Sequence, residues 1–235
     1  MTLTVISSDI TALGAAFSPI SGSTNLILEG VTVTSTGGTA IVNNVLNLSE
    51  ISVNVGGTVA GYDTGIRLNS DNAFAQGHSV VVQETGSVLS DQSYAVSIEG
   101  YRGSLTNSGE IYAAREAAVY MDGSIFTLEN YGIIASLGPS DNGASAIRTT
   151  GGVTDGLIVN HGVLSAKSEY AATVHLYNSA GPNQIVNTGQ IKSGGTAILG
   201  SAGRETVTNS GVIQGNVDLF TGDDIFDGRG GTVIG

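Results

Sequence analysis

The chain has 235 residues, of which only 12% are charged, and its 20 acidic against 8 basic side chains leave it at −12, a balance that argues against phosphate-backbone binding and hence against nucleic acid. It has no cysteine, which removes disulfides and thiolate metal sites, and its 35 glycines are about twice the usual share of roughly 7%. The N-terminus lacks the basic start and apolar run of a secretory signal, and no run approaches the eighteen apolar residues of a membrane span, so no membrane insertion is expected.

In chain order, Thr2 to Ile6 alternates like a strand. The spacing of Ile10, Leu13 and Phe17 before Pro19 suits either a further strand or a short capping helix, so residues 1–24 read as a cap or a first strand. From Asn25 onward, pairs of alternating segments recur. The first is NLILEGVTV with GTAIV; the second runs from VNNVLNLSEISVN to TVAGYDTGIRL, with Asn54 one residue out of register. The third, HSVVVQETGSVLSDQSYAVSI, puts Glu84 in a slot that later turns give to Asn, where it is expected to face solvent.

After that the pattern is regular. Apolar-x-Asn-x-Gly-x-apolar appears as LTNSGEI from Leu105, LENYGII from Leu128, IVNHGVL from Ile158, IVNTGQI from Ile185 and VTNSGVI from Val207. A second phrase, small-apolar-x-apolar, follows each time. Taking Ile41, Ile66, Val96, Val119, Ile147, Val174, Ile198 and Val217 as one equivalent position, the mean step is (217 − 41)/7, about 25 residues. Period-two alternation within each phrase excludes a helical repeat. The expected fold is therefore all-β, a right-handed parallel β-helix of about eight turns over residues 25–219, a single elongated domain.

The alternation also assigns faces. Arg67, Ser97, Tyr120, Arg148, His175, Leu199 and Asp218 form an outward row, while Asn107, Asn130, Asn160, Asn187 and Asn209 stack inside a bend and bond to one another. The glycines two residues later are expected to turn that bend with positive φ. Insertions gather after the second phrase, at 69–77, 99–103, 149–156 and 177–183, with another at 136–144. Insertions of this kind often mark a binding face. Near this edge Tyr94, Tyr101, Tyr120, Tyr170 and Tyr177 are the candidates for contact with a polysaccharide or cell-surface glycan.

Residues 220–235 depart from the repeat. Gly222, Asp224 and Phe226 fit half of a Gly-Gly-x-Gly-x-Asp-x-apolar-x calcium repeat, with Leu219 and Phe220 where two glycines are expected. With this segment, and with its NSG-x-I and Asn-Val-Asp-Leu phrases, the chain resembles the N-terminal β-helical part of secreted, repeats-in-toxin (RTX) type calcium-binding proteins, and is similar to autotransporter passenger domains. The resemblance implies secretion or bacterial surface display, an adhesive or scaffold role and calcium-stabilised folding. Asp223, Asp224 and Asp227 would form only a partial calcium site, one that downstream repeats covering the open C-terminal end would complete.

Enzymatic signals are sparse. His78, His161 and His175 show no metal-ligand spacing, and no nucleophile elbow or phosphate loop occurs. The catalytic alternative is a polysaccharide lyase or glycoside hydrolase on the flank, with Arg148 and His175 adjacent in the outward row and Asp122, Asp141 and Asp155 near them in sequence.

Overall fold

The computed structural model describes residues 2–43, 50–70, 77–139, 143–150, 152–179 and 181–235. Among these every regular element is a strand, and all the strand pairs are parallel. The chain coils through three faces per turn. The first is a sheet of ten strands, from Thr2–Ile6 to Ile225–Asp227. The second and third belong to one sheet of sixteen, because Gln190–Ser201 runs around their shared corner and pairs on both sides of it. The fold is a parallel β-solenoid, as the repeat spacing predicts.

Register agrees with the sequence position by position. Ile41, Ile66, Val96, Val119, Ile147, Val174, Ile198 and Val217 are successive partners up the third face. All but Val217 are fully buried, and Val217 and Leu219 lie against the core at its open end. On the first face Leu105, Leu128, Ile158, Ile185 and Val207 stack, and on the second Ile111, Ile134, Leu164, Ile191 and Ile213. Each such side chain taken from water contributes roughly 1.5–3 kcal/mol, so these three aliphatic columns carry much of the core.

At the corner between the first and second faces runs the asparagine ladder. Asn107, Asn130, Asn160, Asn187 and Asn209 are all fully buried. Each Nδ2 donates to the Oδ1 of the next, at 2.8, 2.8, 2.7 and 2.7 Å. The same amides donate to the carbonyl of their own Gly two residues on and to a carbonyl of the following turn, as Asn160 does to Gly162 and Gln190. Upstream the same column is aliphatic: Ile6, Ile27, Val55 and Val82.

Two expectations are corrected here, the slot assigned to Glu84 and the positive φ of the corner glycines. Glu84 does not take the Asn slot: Asn107 is in register with Val82, and Glu84 lies exposed in a larger corner two residues on. Because Val82 offers no amide, Asn107 Oδ1 is buried without a partner. The corner glycines Gly109, Gly132, Gly162, Gly189 and Gly211 do not adopt positive φ. Their role is close approach: a Cβ on Gly132, Gly162, Gly189 or Gly211 would lie 2.0 to 2.2 Å from the carbonyl oxygen of the corner glycine below. At the N-terminus the strand reading holds, since Ile10–Ala12 pairs with Thr32–Ser35 and Phe17 bridges to Ile41. At the other end Ile225–Asp227 and Thr232–Ile234 pair onto the preceding turn, so stacking runs through both segments that the repeat left out.

Asn160→Leu should orphan the Asn187 carbonyl and strip the Asn130 amide of its shortest bond, leaving it the Gly132 and Val163 carbonyls, at about 1–3 kcal/mol in total. Asn209→Leu, at the ladder's end, should cost roughly half as much. Urea denaturation of both variants checks this; equal costs, or none, would contradict a cooperative buried ladder. Gly162→Ala should destabilise by about 1–3 kcal/mol or more through the clash with Gly132.

Candidate functional site

The third face carries the predicted outward row in register, with Ser97 alone of its seven members buried. Arg67, Ser97, Tyr120, Arg148, His175, Leu199 and Asp218 are register partners on successive turns. Strands stacked at ~4.8 Å bring these side chains into contact. Arg67 Nε pairs with Glu99 Oε1 at 3.3 Å, and Ser97 Oγ donates to the same oxygen at 3.0 Å. Tyr94 and Tyr120 stack with ring centroids 4.5 Å apart, so each spends a ring face on the other. Burial, helped by Glu116 beside Tyr94 and Asp122 beside Tyr120, raises both phenols and keeps them neutral.

Above them Arg148 lies over the ring of Tyr177, 5.2 Å from its centroid. Gly143, at φ 103°, makes room for the guanidinium: a Cβ there would stand 2.4 Å from an Arg148 nitrogen. His175 meets Tyr177 edge-on at 5.5 Å. Burial, and then the Arg148 charge, lower the His175 imidazole to about 4, so it is neutral near pH 7. Beyond it a cleft of about 220 Å³ opens between Tyr177 and Phe220, with Leu199 between them in the outward row.

Of the catalytic alternative, Arg148 and His175 are together, but the aspartates are not with them. Asp155 opens strand Asp155–Asn160 on the first face, and Asp122 lines a separate cleft of about 320 Å³ with Glu99 and Tyr101. Asp141 lies outside the described residues. In that cleft Glu99 and Asp122 are register partners, a pairing that the sequence reading missed although both directly follow an inward residue, Ile98 and Met121.

Among the tyrosines, Tyr101 stands beside Arg102 and Tyr170 is exposed at the corner between second and third faces, apart from the row. His161 is exposed at the ladder corner, stacked on Tyr131 at 4.8 Å and bonded to Thr188.

The calcium candidates are not gathered around one point. Asp224 Oδ1 accepts the Glu205 amide at 2.9 Å, and both oxygens of Asp227 are bonded to Arg229. These carboxylates as arranged do not fit a calcium site, and among the described residues no group of three or more His, Cys, Asp or Glu is placed to hold a metal. The sequence reading also missed Glu205, fully buried, which accepts from Ser201 Oγ at 2.7 Å and Asn183 Nδ2 at 3.1 Å.

Compared with protein-family models, with curated proteins and with solved structures, the chain gives no match.

The lowered His175 and His78 imidazoles set a pH dependence. The unfolded chain takes up protons near pH 6.5 while the folded chain holds these rings neutral, so stability is fully present above about 6.5 and falls as pH drops towards 4. His175→Gln should flatten that fall by about 2 kcal/mol between pH 7.5 and 4.5. Urea midpoints at the two pH values check it; an unchanged slope would contradict a desolvated His175.

Proposed function

We propose that the chain is a structural and adhesive β-helix module, displayed outside the cell, whose third face contacts a neutral polysaccharide. The observation that carries this is the unbroken outward row of Tyr120, Arg148 and His175, flanked by Tyr94 and Tyr177, in register from turn to turn on a rigid core. Aromatic rings supply apolar faces for sugar C–H groups, and neutral phenols and imidazole supply hydrogen bonds at their edges. The charge of −12 disfavours acidic polymers. Display outside the cell rests on the repeats-in-toxin and autotransporter resemblance of the repeat phrases.

A second reading is favoured by the other cleft. Glu99 and Asp122 stand on successive turns, ~4.8 Å apart between backbones, and both line that cleft, and a glycoside hydrolase uses two facing carboxyl groups as acid and nucleophile or base. Its signature would be reducing ends released from a polysaccharide and lost in Asp122→Asn.

In native gels, mobility should fall with embedded glucomannan or xylan and stay unchanged with polygalacturonate. Equal mobility in all three would contradict the glycan-contact reading.

A further inference from the structure

We propose that the cleft between Tyr177 and Phe220 holds a single neutral pyranose ring of that polysaccharide, an inference that rests on the third-face reading above. The backbone points to it. Among the described residues only two other than glycine have positive φ, Asn178 at 52° and Phe220 at 68°, and both line this one cleft. Asn tolerates that conformation because its short amide can bond locally, but for a bulky residue such as Phe it is a genuine outlier. Phe220 is held there by its amide, which donates to Asp218 Oδ1 at 2.9 Å, and by its register with Ser201.

The strain gains nothing for packing. Phe220 leaves 67% of its surface exposed, and Tyr177 across the cleft leaves 43%. A strained backbone and an exposed apolar ring are both unfavourable for the fold alone, a combination that persists where the ring has another task. The remaining groups define that task. Two exposed aromatic side chains line about 220 Å³, a space on the scale of one six-membered ring. The Asn178 amide and the edge of His175 line the cleft and are at hand for hydroxyls. A uronate would find no Lys or Arg among the residues that line the cleft. A purely apolar ligand would leave the polar edge groups unpaired.

Calorimetric titration of the whole chain with cellohexaose, mannohexaose, xylohexaose and hexagalacturonate tests this, with Tyr177→Ala, Phe220→Gly and Tyr120→Ala alongside. At least one neutral hexasaccharide should bind and hexagalacturonate should not. Tyr177→Ala and Phe220→Gly should each weaken binding about tenfold or more. Phe220→Gly should unfold at the same temperature as the parent or higher, since glycine accepts positive φ freely. If no probe binds, both this inference and the glycan reading fail. If binding survives both cleft variants within about twofold and is lost in Tyr120→Ala, the reading stands and the cleft is excluded. Hexagalacturonate binding as tight as the neutral probes, or a lower unfolding temperature for Phe220→Gly, would also overturn the inference, the latter by assigning Phe220 to packing.

Discussion

A buried side-chain amide has to find its partners inside the protein, and in this ladder each finds them in backbone carbonyls of its own and the following turn and in a copy of itself one turn away. Asn107 through Asn209 satisfy that demand by donating along the axis, each to the next. Because the side-chain period of a strand is two, a slip of one residue would turn an amide outward and strand its neighbours. The ladder therefore sets register as well as adding bonds. The glycine column beside it imposes the complementary condition that adjacent corners approach so closely that no Cβ fits between them. Together they hold the first and second faces in a fixed relation and leave the third face free to vary outside.

That freedom is visible in what the third face carries. Its inward column is uniformly aliphatic, while its outward row changes at every step from Arg67 to Asp218. The insertions open at the third face's far end, so Tyr101, Tyr177 and Asn178 are placed by loops on a scaffold that does not need them for its core. Where the corner between second and third faces loses its loop, in Gln190–Ser201 and Val212–Phe220, the chain passes between faces as continuous strand. Phe220 ends the second of these strands, in a conformation that its own packing does not explain.

How far the sequence could be read follows from which interactions repeat. The register of all eight third-face positions and the inward Asn column were legible because each turn restates them. The corner glycines were legible as necessary but not for the right reason: spacing shows where a side chain is excluded, and both positive φ and a carbonyl beneath exclude one. Glu84 was misplaced because a corner enlarged by two residues breaks the count from Val82 to Gly86. The candidate site was legible only in part. Arg148 and His175 appear as neighbours, but the assignment of Asp155 to another face depends on where a loop ends, and the backbone of Phe220 leaves no trace in a single occurrence.

The five asparagine amides are bonded to one another in a buried column. Hydrogen exchange of side-chain amides, followed by nuclear magnetic resonance, reads this directly. The Nδ2 protons of Asn107, Asn130, Asn160 and Asn187 should exchange orders of magnitude more slowly than those of exposed amides such as Asn216. Exchange of all of them at the rate of free amides would contradict it.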